Sequence, residues 1–166
     1  MNTNEIEEGI KQVLNKEAER LRQNQKSLPK DWTTALFVAL TRWAYKDEQL
    51  VVWCKKNEVD VTLTGCLYDF MISERGETPN DIKDIWVALE SEWSEYFDEI
   101  KYDFYKLIQS RSRLRVMIFR SQDVKKTTSD LISILENSPM SVAGDRYLFA
   151  GRDDQYAFIF KSHSKG

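Results

Sequence analysis

Histidine and cysteine are nearly absent from this chain of 166 residues. The single histidine, His163, lies in the terminal segment KSHSKG. Catalytic triads and metal sites that need a firmly held histidine are therefore not expected. The two cysteines, Cys54 and Cys66, stand in apolar segments without CxxC spacing, which argues against a disulfide scaffold or a zinc site. We expect both to be ordinary buried thiols.

Long apolar runs and a one-sided charge are also missing. No stretch of 18 apolar residues occurs, and the segment MNTNEIEEGIKQ lacks the basic and apolar regions of a secretory signal. We therefore expect a soluble, cytoplasmic protein without a membrane partner. The 24 basic and 27 acidic residues give a net charge of only −3, so any nucleic-acid binding must come from a local patch.

Apolar and aromatic residues are plentiful, and they predict one packed domain. The chain is 42% hydrophobic and contains five Trp, seven Tyr and eight Phe, which is ample for a core at this length. We predict an amphipathic helix and connector at 1–30, an α/β domain at 31–160 and a disordered tail at 161–166. The apolar face of the first helix could dock on a protein partner or on a second copy, as in a homodimer.

Hydrophobic periodicity predicts alternating helices and strands. Helices are expected at 5–24, 31–44, 100–108 and 127–137. Strands are expected at 50–54, 61–70, 85–93 and 114–119, with two more between 146 and 160 around the turn 151–154. The first strand could instead extend the second helix, and 74–84 is the clearest loop. The predicted fold class is α/β (α+β), with a mixed central sheet flanked by helices.

Two carboxylates project together from the predicted strand 85–93. Because alternate residues of a strand share a face, one face carries four residues: Trp86, Ala88, Glu90 and Glu92. Two like charges roughly 7 Å apart on an apolar strand need compensation, and a divalent cation would supply it. The alternative is a solvated strand end, where both glutamates pair with surface Arg or Lys.

Asp69 ends another predicted apolar strand and adds a third carboxylate. Carboxylate oxygens, completed by water and a backbone carbonyl, are the ligands that Mg²⁺, Mn²⁺ and Ca²⁺ prefer. The acidic residues therefore suit magnesium chemistry.

The order of these motifs resembles a known family. Three segments carry the resemblance: LYD at 67–69, LESEW at 89–93 and DFYKL at 103–107. Followed by an apolar strand, they resemble the PD-(D/E)XK nuclease superfamily over roughly residues 31–120. The resemblance implies a restriction-endonuclease-like core in which a helix precedes a three-stranded meander, and a helix and a further strand follow it.

The resemblance also implies roles for individual residues. Asp69 and Glu90 would hold Mg²⁺ or Mn²⁺ during hydrolysis of a phosphodiester bond, and Glu92 would orient or deprotonate the attacking water. Glu92 stands where the family usually has lysine, and Tyr68 stands where it has proline. Lys106 on the following helix could supply the missing cation, or it could be an ordinary solvated lysine.

The densest basic segment lies between residues 101 and 120. Its residues Arg111, Arg113 and Arg115 are the predicted contacts for nucleic-acid phosphates, although they could equally form a solvated loop. The leading hypothesis is a metal-dependent nuclease acting on nucleic acid, DNA rather than RNA. The alternative is an inactive protein of the same fold that serves as a binding module, because the motif lysine is missing and the net charge is acidic.

Overall fold

The computed structural model describes residues 2–24, 29–54, 67–78 and 81–166, with the backbone alone at 29 and 30. It contains four helices and six strands within those ranges. The helices are α1 (Thr3–Gln23), α2 (Pro29–Ala44), α3 (Phe97–Ile108) and α4 (Val124–Asn137). The strands are β1 (Leu50–Cys54), β2 (Phe70–Arg75), β3 (Ile82–Glu92), β4 (Leu114–Arg120), β5 (Arg146–Arg152) and β6 (Phe158–Ser164).

The six strands form one mixed sheet in chain order, β1 to β6. Strands β1, β2 and β3 are an antiparallel meander, whereas β3, β4 and β5 are mutually parallel, and β6 returns antiparallel to β5. Each parallel pair needs a crossover, which α3 and then α4 provide. The predicted fold class, a mixed sheet with flanking helices, is confirmed.

Helices cover both faces of the sheet and produce two hydrophobic cores. Apolar residues of α1 and α2 pack with one face of the strands, whereas α3 and α4 pack on the other face. Helices α3 and α4 share a face because successive crossovers in one direction along a sheet have the same, right-handed sense. Strand β4 is buried on both faces between the cores, which explains its continuous apolar run.

Helix α1 is an integral part of the first core. Its amino terminus is closed by a capping box between Asn2 and Glu5, two residues before the predicted start signal. Its apolar face, which the sequence left open as a docking surface for a partner or a second copy, is buried within the same chain. The buried apolar residues of this face are Ile6, Ile10, Leu14, Ala18 and Leu21. This prediction was wrong, because the face is needed to cover α2 and the sheet.

The predicted disordered tail is also wrong. Residues up to Ser164 belong to β6, which pairs with β5 along its full length. The polar composition of the segment reflects the exposed side of an edge strand rather than disorder. His163 lies in this strand, and its Nε2 is 2.6 Å from a carboxylate oxygen of Glu136 on α4.

The second predicted strand is displaced along the chain. Residues 61–66 of the predicted strand 61–70, with Cys66, lie outside the described residues, whereas β2 runs from Phe70 to Arg75. Asp69 therefore precedes a strand instead of ending one. The predicted loop 74–84 is shorter, because β2 and β3 both extend into it. Cys54 is a free, buried thiol, as expected.

Strand β3 contains an irregularity at Trp86. Ile72 pairs with Val87 and Ser73 pairs with Ile85, so Trp86 has no partner on β2. One extra residue of this kind interrupts the alternation of faces. Trp86 accordingly packs against the first core instead of sharing a face with Ala88, which corrects the alternation assumed from sequence.

Candidate active site

The candidate site lies where β3 ends and β2 begins. Because the two strands are antiparallel, with Phe70 opposite Leu89, the residue before β2 meets the carboxyl end of β3. The backbone N–H of Ser91 donates to Asp69 Oδ2 at 3.1 Å, and the Ser91 hydroxyl lies 3.4 Å from the same oxygen. These contacts hold Asp69 next to β3, although 22 residues separate it from Ser91 in the sequence.

Glu90 is a fully buried carboxylate beside Asp69. Its exposed fraction is 0%, and its Oε2 accepts a hydrogen bond from Lys106 Nζ at 2.7 Å. Its other oxygen, Oε1, has no hydrogen-bond partner within the described residues. Burial, and then the charge of Asp69, raises the pKa of Glu90 to about 8, against the opposing effect of Lys106. The carboxylate therefore has less compensating positive charge than it needs.

Lys106 is brought to Glu90 by α3. Asp103 lies one turn earlier on the helix, and its Oδ1 is 2.8 Å from Lys106 Nζ. Burial lowers the pKa of Lys106, but hydrogen bonds to Asp103 and Glu90 outweigh it, so the pKa lies above its usual value. The ammonium group thus stays charged and bridges two carboxylates. This position agrees with the hypothesis, made from the sequence, that Lys106 supplies a cation to the site.

Glu92 belongs to the same acidic surroundings but bonds locally. Its carboxylate accepts the backbone N–H of Ser94 at 2.6 Å. Burial raises the pKa of Glu92, and the charges of Asp103 and Glu99 add to the effect. Asp103 therefore acts on both glutamates, and the sequence analysis did not single it out as a site residue. The available signal was its spacing of three residues from Lys106 on the predicted helix.

The predicted phosphate contacts lie elsewhere. Arg113 donates its backbone N–H to Ile85 at the start of the β3–β4 pairing, whereas Glu90 pairs with Met117 four residues further on. The rise of a strand places these levels about 13 Å apart. Arg111 and Arg113 are exposed at that distant edge, so the structure does not bring them to the carboxylates.

Arg115 is not available as a nucleic-acid contact, which corrects the prediction. It is 4% exposed, and its Nη2 lies 2.9 Å from Asp145 Oδ1 and 2.7 Å from the carbonyl oxygen of Ser110. The guanidinium also lies 5.2 Å from the centre of the Tyr147 ring. The alternation of β4 turns this side chain into the second core, where it connects β4 to the start of β5.

The residues at the site fit a magnesium ion only in part. Among the described residues, no group of three or more His, Cys, Asp or Glu side chains is placed to hold a metal ion. Mg²⁺, however, commonly binds through one or two carboxylates and keeps several waters or substrate phosphate oxygens. The orphaned Oε1 of Glu90 beside Asp69 fits that mode of binding.

Comparisons with known proteins do not identify the chain. No protein-family model matches it, and neither does any curated protein or solved structure. The resemblance to the nuclease superfamily therefore rests on element order and on the residues named above. Within the described residues, no helix is long and apolar enough to cross a membrane.

Proposed function

We propose that the protein is a divalent-cation-dependent phosphodiesterase of nuclease type, and that Asp69 and Glu90 hold the cation. The supporting observation is the fully buried Glu90, which has one unpartnered oxygen, lies beside Asp69 and bonds to Lys106. A buried carboxylate without enough neighbouring positive charge is costly. Metal binding is a common reason for a protein to retain such a carboxylate. The proposed substrate is nucleic acid, and DNA rather than RNA.

Each residue has a role that follows from its position. Mg²⁺ or Mn²⁺ bound there would polarise the phosphodiester and lower the pKa of a water molecule. Asp69 is held by Ser91, which fixes the direction of its carboxylate group. Lys106 favours the ionised form of Glu90 and places a positive charge beside it. Glu92 lies two residues further towards the strand end, where it can accept a proton from water.

The test combines calorimetry with cleavage assays. Mg²⁺ and Mn²⁺ are titrated into the wild-type protein, Asp69→Asn and Glu90→Gln, and cleavage of mixed DNA and RNA is followed in parallel. Glu74→Gln is the matched control, because Glu74 lies at the opposite end of the same strand pair and is bonded to Lys83. We expect both site variants to lose cation binding and cleavage, and the control to retain them. Equal cation binding in all four proteins would refute the assignment.

A second function is favoured by the closed salt bridges around Lys106. Much of the charge in this group is already compensated by the ion pairs of Lys106 with Asp103 and Glu90. The Glu92 carboxylate bonds to the backbone at the end of its own strand. In an inactive interaction module of the same fold, Lys106 would serve only as the counter-ion of Glu90. Lys106→Met separates the two functions through cation binding, since removal of a competing ammonium should strengthen binding at a metal site. In the module, the same change would only destabilise the fold.

A further inference from the structure

Arg152 is a buried cation enclosed by aromatic rings. It is the last residue of β5 and is 4% exposed. Its guanidinium carbon lies 4.5 Å from the ring centre of Trp32, 4.9 Å from that of Tyr156 and 5.3 Å from that of Trp93. Cation–π contacts of this kind stabilise a guanidinium. They do not neutralise its charge.

A carboxylate partner is missing for Arg152 within the described part of the chain. None of the described salt bridges includes it, and its Nε donates no hydrogen bond there. Arginine is rarely buried to this extent unless it is paired. Burial, and then the neighbouring Arg120 guanidinium, lowers the pKa of Arg152 below its usual value. Arg152 therefore has no directly paired carboxylate among the described residues, and the charges of Asp154 and Asp153 act on it only without a salt bridge.

Arg120 places a second guanidinium beside Arg152. The two residues are register partners on the parallel strands β4 and β5, so both point to the same face. The Nη2 of Arg120 lies 2.7 Å from Glu95 and 3.2 Å from Asp154, and its Nε has no acceptor within the described residues. Both of these carboxylates are about half exposed, so their pairing with Arg120 is weak.

A cleft opens beside Arg120, and Trp93, which contacts Arg152, forms part of its wall. Its volume is about 630 Å³. The lining residues are Trp93, Ser94, Glu95, Tyr96, Arg120, Ser121 and Gln122. Trp93 lines the cleft and is also one of the three aromatic rings around Arg152, which together form the aromatic cage. The cleft lies at the carboxyl ends of the parallel strands, which is where open α/β sheets usually bind ligands.

The cage is held at a conformational cost. Tyr156 has a positive φ of 63°, a backbone conformation that is unfavourable for a non-glycine residue. The turn is fixed because Asp153 accepts the backbone N–H of Ala157 at 2.9 Å. As a result, the Tyr156 ring stacks on Trp32 with an interplanar angle of 11° and a centroid separation of 5.8 Å. Strain of this kind persists where a particular geometry is retained.

We propose that Arg152 and Arg120 form an anion subsite that binds a phosphate group of nucleic acid flanking the cleaved bond. The choice of nucleic acid rests on the proposed function, whereas the choice of phosphate rests on the paired guanidiniums, whose planar forks match its oxygens. Strand spacing and rise place the backbones of Arg152 and Glu90 about 14 Å apart, and their side chains lie on opposite faces of the sheet. A nucleic-acid strand would pass around the carboxyl ends of the parallel strands to place a second phosphate at the subsite.

The test measures phosphate binding without divalent cations. Inorganic phosphate is titrated in EDTA into wild-type protein, Arg152→Met and Arg120→Met, and the indole N–H signals of Trp32 and Trp93 are followed by NMR. We expect saturable shifts of the Trp93 signal in the wild type and at least an approximately tenfold loss of affinity in each variant. Arg120 is partly exposed, so Arg120→Met leaves the cage intact and remains informative if Arg152→Met does not fold.

Arg113→Met is the matched control. Its guanidinium also lies over a tryptophan, 3.9 Å from the Trp86 ring centre, but it pairs with Asp84 at the distant edge. We expect it to bind phosphate as the wild type does. Absence of a Trp93 shift in the wild type, or an equal loss in Arg113→Met, would overturn the subsite.

A further pair of titrations identifies the source of the phosphate. A short single-stranded DNA and its uncharged methylphosphonate analogue are added to the wild-type protein in EDTA. We expect only the charged oligonucleotide to shift Trp93, and binding of inorganic phosphate alone would overturn the assignment to nucleic acid. Because no cleavage or metal is involved, these results are independent of those at Asp69 and Glu90.

Discussion

Ionisation of the buried Glu90 side chain opposes folding. Its pKa is raised to about 8 by burial and by Asp69, whereas in an unfolded chain it titrates near 4.5. Between these values the folded state binds more protons than the unfolded state, so the free energy of unfolding decreases as pH rises. The contribution is complete below about pH 4.5 and is lost through pH 8.

This titration predicts a pH-dependent difference between the wild type and Glu90→Gln. In EDTA, we expect the variant to gain stability relative to wild type from pH 5 to pH 8, by roughly 1–3 kcal/mol. Urea unfolding at a series of pH values measures the difference. A constant offset between the two proteins across this range would show that Glu90 is ionised throughout.

Glu7 gives the opposite dependence. It is 2% exposed and bonds to Lys11, Arg146 and Ser162, connecting α1 to β5 and β6. Burial raises its pKa, but these partners together lower it below 4.5. Its stabilising effect is therefore present above pH 4.5 and is lost as pH falls through its folded pKa.

We expect Glu7→Gln to lose about 2 kcal/mol of unfolding free energy at pH 7. The loss should shrink as the pH falls to 3, because the wild type then becomes protonated as well. Glu8→Gln is the control, since Glu8 is exposed and also pairs with Lys11. Chemical denaturation at pH 7 and pH 3 makes the comparison, and an equal loss at both values would contradict the ion-pair explanation.

At the scale of elements, the packing of α1 on α2 depends on Gly9. A Cβ built on Gly9 would lie 2.2 Å from Cζ2 of Trp43 on α2. Alanine normally favours a helix over glycine by about 1 kcal/mol. At this position, however, it would force the indole out of its contact with the first core.

We expect Gly9→Ala to destabilise the protein by about 1–2 kcal/mol despite its helix propensity. The double variant Gly9→Ala, Trp43→Leu should recover part of the loss relative to the sum of the single variants. Thermal unfolding of the four proteins in the cycle measures this coupling. Strict additivity would show that the two residues do not interact.

At the scale of the whole molecule, α1 completes one face of the sheet. Its five buried apolar residues each contribute on the order of 1–2 kcal/mol, and their sum is comparable to the entire stability of a small domain. We therefore expect a chain lacking residues 2–24 to lose cooperative unfolding and to expose apolar surface. Near-UV circular dichroism and sedimentation test this, and a folded monomer without α1 would show that the helix is dispensable.

The sequence predicted the order of elements well because their apolar spacing is regular. Helices at α1 and α3 and strands at β1 and β4 agree with their periodicity. The predictions failed where the same composition is compatible with two structures. The polar segment at β6 has the composition of a frayed tail, but it pairs with β5. The bulge at Trp86 likewise depends on the register between two strands. The spacing of residues within one strand carries no information about that register.

The candidate site was predictable in type but not in partnership. The sequence by itself determined that Asp69, Glu90 and Glu92 stand near strand ends, because alternation and turn signals are local properties. Only the tertiary structure decided that Lys106 bonds to Glu90 and that Arg115 forms an ion pair with Asp145. It also decided that Arg152 meets three aromatic rings. These contacts join residues from different elements, and strand pairing and helix docking fix their distances.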